Sequence, residues 1–161
     1  CYPASELAQI IERSAGLLGC DIEQDACDVL ASRSRGTPRF ANRFLRRIRD
    51  VAQSQGDWKS GDPLRVGMAA VSEGLERLGI DENGLDRVDR KILAVLFSYK
   101  GEAVGLKTVA ASVGEEKRTI EEVYEPHLIR EGLITRTARG RCITRKAGEL
   151  YGDPSGQLSF V

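Results

Sequence analysis

The stretch Ser34-Arg35-Gly36-Thr37-Pro38-Arg39-Phe40-Ala41-Asn42-Arg43 sets an arginine beside the backbone donors of a starting helix, an arrangement suited to an anion. Thr37 reads as the N-cap and Pro38 as the first helical residue, where its missing N–H costs nothing and its fixed φ suits the turn. Arg39 then falls in the first turn. A cation there opposes the helix dipole by about 0.3 to 1 kcal/mol, and a phosphate joining the site would relieve that opposition. The same pattern also suits a solvated arginine or a salt-bridge partner, so the local sequence defines a candidate anion site without fixing its ligand.

Charge is distributed unevenly. The chain carries 24 Lys and Arg against 24 Asp and Glu, and a zero balance spread evenly would argue against a nucleic-acid partner. Arginine instead gathers in two blocks, one of Arg33, Arg35, Arg39, Arg43, Arg46, Arg47 and Arg49, the other of Arg130, Arg136, Arg139, Arg141 and Arg145 with Lys146. The four cysteines Cys1, Cys20, Cys27 and Cys142 show no CxxC spacing and accompany a single histidine, which supports neither a zinc site nor a disulfide framework. They read as small buried apolar residues or surface thiols. No apolar run approaches the roughly 18 residues of a membrane span and no charged-then-apolar leader opens the sequence, so a cytoplasmic protein with no membrane partner is expected. A start on Cys1-Tyr2-Pro3 rather than methionine leads us to expect a part of a longer polypeptide.

The elements that must position these blocks form two small domains rather than one, since 161 residues allow either. Ser5 to Leu18 carries a helical stripe of Leu7, Ile10, Ile11, Leu17 and Leu18 that stops at Gly19. Asp25 to Ser34 places Ala26, Val29 and Leu30 on one face and ends at Gly36, where glycine suits a left-handed cap. From Pro38, the apolar positions Ala41, Phe44, Leu45, Ile48 and Ala52 recur at three and four, leaving Arg39, Asn42, Arg43, Arg46 and Arg49 on the opposite side. Gln53 to Gly61 reads as a loop, with Trp58 packing it to the bundle or marking a partner contact. Asp62 and Pro63 then read as the cap of a fourth helix to about Leu78. Turn chemistry over Gly79 to Gly84 ends this bundle.

The second half begins with a helix from Asp89 to Tyr99, followed by a short extended Ala103-Val104-Gly105, a helix Leu106 to Val113 and a helix Thr119 to Arg130. Two β-like runs follow, Leu133 to Thr137 and Cys142 to Thr144, joined by Ala138-Arg139-Gly140-Arg141. Helix, strand, helix, helix, hairpin is the winged-helix order. Pro126 should kink or offset its helix, because proline beyond the first turn removes a hydrogen bond and costs about 3 kcal/mol in a straight helix. The second arginine block falls on the hairpin, with no aromatic residue interleaved, which favours contact with duplex backbone over stacking on a single strand. A winged helix that contacts protein instead stays open on this pattern. Arg136 and Thr144 are expected to stand off from the apolar Ile134 and Ile143 on a solvated strand face. His127 reads as a surface or core histidine, and Glu115-Glu116 and Glu121-Glu122 as solvated carboxylates on different helix faces, with no acid–base role.

Gly36-Thr37-Pro38-Arg39-Phe40-Ala41-Asn42-Arg43-Phe44-Leu45-Arg46-Arg47 closely resembles the lid of the RuvB family of Holliday-junction branch-migration ATPases. Gly114-Glu115-Glu116, Thr119-Ile120-Glu121-Glu122-Val123-Tyr124-Glu125-Pro126 and Arg136-Thr137-Ala138-Arg139-Gly140-Arg141 resemble that family's terminal winged helix, and the likeness runs from Tyr2 to about Gly152. It implies a mainly α chain, with a four-helix AAA+ lid over 1–80 and a winged-helix DNA-binding domain with a short mobile tail over 81–161. The implied parent is an ATP-dependent motor, using ATP with magnesium, whose hexamer encircles duplex DNA while RuvA holds the junction.

Carried over by position, Arg39 matches the family's sensor-2 arginine and Tyr2 a residue contacting the nucleotide near the hinge. Lys117, Arg136 and Arg141 match positions that contact DNA. Ala138 stands where the family has proline, a change that bears on wing rigidity, and Lys117 where it has arginine, which keeps the charge and loses the fork. No GxxxxGK[ST] loop and no strand ending in paired acids is present, so the resemblance implies no ATP hydrolysis by these residues alone and no nucleotide held by them alone. RuvA binding is assigned to the large domain. Apart from the resemblance, a winged helix joined to a basic bundle also fits a transcription regulator or an interaction adaptor.

Overall fold

The pattern of apolar residues at three and four is strongest from Pro38 onward, and there the computed structural model, which describes residues 2–56 and 62–152, holds its longest helix. The chain divides into two units, 1–85 and 86–161. The first is a helical bundle: α1 (Ala4–Leu17), α2 (Gln24–Arg33), α3 (Pro38–Gln55) and α4 (Met68–Arg77). Leu7, Ile11, Leu30, Phe44, Leu45, Ile48 and Leu75 are fully buried and form its core. Val71 completes α4's inner face. At Gly74 an added Cβ would lie 2.5 Å from Ile48 Cγ1, so the glycine lets α4 approach α3 closely.

Three expectations change here. The fourth helix begins at Met68, because Leu64–Val66 is instead a strand, β2, paired in parallel with β1 (Cys20–Ile22) in the register Cys20↔Leu64 and Ile22↔Val66. Both strands bury their outer residues and expose the middle one, Asp21 or Arg65, as a half-buried strand requires. Helix α3 continues through Gln55, past the loop start expected at Gln53. Leu17 is 82% exposed, although Leu7 and Ile11 of the same helix face the core. Trp58 and the tail from Asp153 to Gln157 lie outside the described residues.

The second unit comprises α5 (Arg87–Ser98), α6 (Leu106–Val113), α7 (Lys117–Thr119), α8 (Glu125–Arg130), the hairpin β3 (Ile134–Thr137) and β4 (Gly140–Ile143), and α9 (Arg145–Tyr151). Helix α5 starts earlier than Asp89 because Asp86 and Asp89 form a reciprocal capping box. Asp86 Oδ1 accepts from the amides of Val88 and Asp89 at 2.8 and 3.1 Å, while Asp89 Oδ2 accepts from the Asp86 amide at 2.9 Å. Helix α9 starts where Thr144 Oγ1 accepts from the Ala147 amide.

Pro126 is accommodated by a wider turn rather than a sharp break. Between α7 and α8 the chain makes one π-helical turn, Ile120–Tyr124, in which the Glu125 amide reaches back five residues to the Ile120 carbonyl. The inserted residue falls immediately before the proline, whose missing N–H would otherwise interrupt an α-helical ladder.

The wing is a tight antiparallel hairpin with Arg136 directly opposite Arg141 and Thr137 opposite Gly140. Val104, in the short extended segment expected there, bridges the outer side of β4 through two 2.8 Å backbone bonds with Arg141. Gly140 has φ +147°, and an added Cβ would lie 2.3 Å from the Val104 carbonyl oxygen, so this position admits only glycine without rebuilding the contact. Thr137 holds the turn from within. Its hydroxyl donates to the Gly140 carbonyl at 3.1 Å and accepts from the Arg139 amide at 3.3 Å.

Candidate nucleic-acid interface and anion site

The anion site expected around Arg39 is built on two consecutive left-handed residues, Arg35 (φ 56°) and Gly36 (φ 65°), which turn the chain sharply into α3. The glycine meets that conformation freely, whereas the arginine meets it under restraint. Arg35 is buried, with its guanidinium carbon 5.1 Å from the centroid of Phe40, and Arg43 lies 5.2 Å from the same ring on α3. Ser34, also buried, donates its hydroxyl to the Leu30 carbonyl at 2.6 Å and so fixes the loop to the end of α2.

Thr37 occupies the N-cap position, but its side chain caps nothing. Its hydroxyl donates to the Arg35 carbonyl at 3.2 Å, so the first-turn amides of α3 receive no side-chain acceptor from it. Arg39 is exposed beside them. Tyr2 joins the same corner: its amide donates to the Gly36 carbonyl at 2.9 Å, and the residue is 48% exposed. The structure thus brings Tyr2 to the loop that launches Arg39, leaving both open to a ligand.

The basic residues of the second unit divide sharply by environment. Lys117 is exposed at the first position of α7, one turn before Glu121, and Arg139 is exposed at the tip of the wing. Arg136 is largely exposed, its Nη2 donating to Glu121 Oε1 at 3.3 Å. Arg141 is different. It is only 8% exposed, and its guanidinium donates Nε to Glu125 Oε1 at 2.8 Å and Nη2 to Glu125 Oε2 at 2.9 Å, with a further Nη2 bond to Glu121 Oε1 at 3.1 Å. Glu125 is itself 3% exposed. The hydrogen bonds that Arg141 donates to the Glu125 carboxylate are the main cause that raises the pKa of Arg141, against the lowering effect of burial.

The expectation of Arg141 as a wing cation facing duplex backbone is therefore corrected, since its Nε and Nη2 are bound within the protein. Glu121 is corrected likewise, from a solvated carboxylate to the bridge between two wing arginines, whereas Glu122 does pair at the surface, with Arg118 at 2.7 Å. Period-two alternation carried the missed signal. Arg136 lies two residues after Ile134, and Arg141 two before Ile143, so both share the apolar residues' face of the hairpin rather than standing off from it. Acids at 121 and 125 on the helix give matching partners one turn apart. His127, left open as a surface or a core histidine, is 5% exposed and lies in the core beside Arg130 and Glu131.

Among the described residues no cluster of three or more His, Cys, Asp or Glu could hold a metal ion, and no helix is long and apolar enough to cross a membrane. Cys27 is fully buried. Burial pushes its thiol up to about 11, and Cys20 is raised for the same reason, so both are apolar packing groups at neutral pH.

Residues 2–81 match the model of the RuvB AAA lid domain, and residues 82–152 that of the RuvB C-terminal winged helix domain. A protein of Kosmotoga olearia named Holliday junction branch migration complex subunit RuvB is 52% identical over 147 residues, covering 91% of this chain and 41% of that one. Its namesake from Myxococcus xanthus is 46% identical over 151 residues, covering 93% and 42%. The solved structure of the Thermotoga maritima RuvB Holliday junction branch migration motor has a TM-score of 0.82 at 43% identity, covering 92% of this chain and 48% of that chain. The chain spans less than half the length of each of these relatives. With two adjoining matches that tile it from Tyr2 to Gly152, it belongs to the RuvB family, of which it carries the lid and the winged-helix domain.

Proposed function

We propose that this chain is the rear part of an ATP-driven motor for Holliday-junction branch migration, with a lid that senses nucleotide and a wing that grips duplex backbone without reading sequence. The observation that carries this reading is the exposed Arg136 on the antiparallel hairpin, in a chain whose relatives bear the name of a branch migration complex subunit. A motor that moves along any sequence needs contacts to phosphate, which carry no sequence information, and an arginine on a wing supplies one. Lys117, at a helix start, supplies a second cation. Arg141 contributes through the inner side of the same hairpin, where Glu125 fixes its guanidinium.

In the lid, exposed Arg39 and Tyr2 share one corner, and this donor set fits one edge of a nucleotide, with Arg39 toward the phosphates. Phosphate cradling and magnesium ligation require a GxxxxGK[ST] loop and a strand ending in paired acids, neither of which these 161 residues contain, so ATP with magnesium would be held jointly with a large domain. That domain would also carry the RuvA contact and most of the hexamer interface, in a cytoplasmic assembly on DNA.

Anisotropy titration of two unrelated duplexes across a salt series tests the DNA half. The motor reading expects nearly equal affinities and a log–log salt slope that falls by about 0.9 in Arg136→Ala. A preference corresponding to about 1 to 3 kcal/mol per mismatched pair would make the chain a sequence reader, and no salt-dependent binding would make the wing a protein contact.

A further inference from the structure

Arg136 and Arg141 stand directly opposite each other across the wing, and like charges so placed destabilise a hairpin unless an anion lies between them. Here the anion is a single carboxylate oxygen. Glu121 Oε1 accepts from Nη2 of Arg136 at 3.3 Å and from Nη2 of Arg141 at 3.1 Å, as an oxygen of a DNA phosphate would between two guanidiniums. We infer that Glu121 is a resident competitor of DNA, occupying between Arg136 and Arg141 the seat that a backbone phosphate takes in the complex. The inference rests on the proposed DNA-gripping role of the wing.

The two acids facing Arg141 differ in the way this exchange requires. Glu125 is 3% exposed and binds both Nε and Nη2, so it keeps the guanidinium in place whether or not DNA is present. The Glu121 side chain is 38% exposed and that of Arg136 61% exposed, so their pair is screened by water and exchanges at little cost. Glu121 also sits in the π-helical turn before Pro126, at the outer edge of the Arg141 fork. When it leaves, the Nη2 N–H of Arg141 that Glu121 had accepted and the Nη2 of Arg136 become available to one phosphate, while Glu125 keeps the other Nη2 bond of Arg141. The buried arginine then contributes to the grip without having to leave its socket.

The test is anisotropy binding of the 161-residue chain to a duplex of arbitrary sequence at low salt, comparing Glu121→Gln with Glu122→Gln. Both changes remove one carboxylate from the same turn, but Glu122 pairs with Arg118 rather than with a wing arginine. Glu121→Gln should bind about fivefold more tightly than Glu122→Gln, and the gain should vanish in an Arg136→Ala background. Equal or weaker binding by Glu121→Gln overturns the inference. If Arg136→Ala weakens binding while Glu121→Gln gains nothing, only the competitor role falls; if Arg136→Ala binds as the parent does, the wing reading falls with it.

Inorganic phosphate provides a second readout through thermal unfolding, independent of duplex shape. It should raise the Tm of Glu121→Gln more than that of Glu122→Gln, and equal shifts would overturn the inference.

Discussion

Glu125→Ala removes the carboxylate that holds Arg141 and leaves this buried arginine, 8% exposed as a residue, with most of its compensation gone. Breaking a buried pair from one side costs roughly 3 to 5 kcal/mol, because the orphaned charge keeps its desolvation penalty and loses its partner. Two of the three side-chain hydrogen bonds that Arg141 donates to Glu125 and Glu121 are lost, at 2.8 and 2.9 Å, while the 3.1 Å bond to Glu121 survives. That surviving acid is partly exposed and can shift inward, which sets the expectation at the lower end, about 3 kcal/mol. The loss should be local to the second unit, because Arg141 also exchanges both backbone bonds with Val104 and so ties the wing to the start of α6.

Urea unfolding followed by far-UV circular dichroism measures the magnitude, and amide exchange at Val104 and Arg141 measures the place. The double variant Glu125→Met plus Arg141→Leu is the decisive comparison. It removes both charges and replaces them with apolar groups, Met matching Glu in length and Leu shorter than Arg, so it should recover much of the stability lost in the single variant. A single variant that loses less than about 1 kcal/mol, or a double variant no more stable than the single one, refutes the claim that Glu125 compensates a buried charge.

Gly140→Ala should loosen the wing, since an added Cβ would stand 2.3 Å from the Val104 carbonyl oxygen at a backbone φ of +147°. Faster amide exchange at Arg141 and Val104 with unchanged protection in α3 is the expected result, and an unaltered exchange pattern would show that the bridge yields without cost. For Cys27, held up to about 11 against an ordinary value of 9.0, the thiol stays protonated in the folded chain after it ionises in the unfolded one. Its contribution is fully present below pH 9 and lost as the pH rises through about 11, at on the order of 1.4 kcal/mol per pH unit in between. Cys27→Ala should flatten this alkaline loss in urea titrations, and an equal slope in parent and variant would assign it to other groups.

The sequence is most legible where one periodicity governs a long segment and least legible where the decisive contact joins distant residues. Helix α3 shows this directly: the three-and-four spacing of Ala41, Phe44, Leu45, Ile48 and Ala52 identifies a buried face, and all five are buried. Strands β1 and β2 are only three residues each and pair across the whole of α2 and α3, so no local pattern announces them. Arg141 is the instructive case. Its residue type suggests exposure, since an isolated arginine is rarely buried, but burial becomes inexpensive once two acids on a neighbouring helix face it. Alternation along the hairpin places Arg136 and Arg141 on one face, and the acids at 121 and 125 recur one helical turn apart, so both halves of the cluster are written locally. Only the packing of helix against wing joins them. The same packing separates two roles that composition merges: a charge on Arg136 that solvent and DNA can reach, and one on Arg141 that the protein itself holds in place.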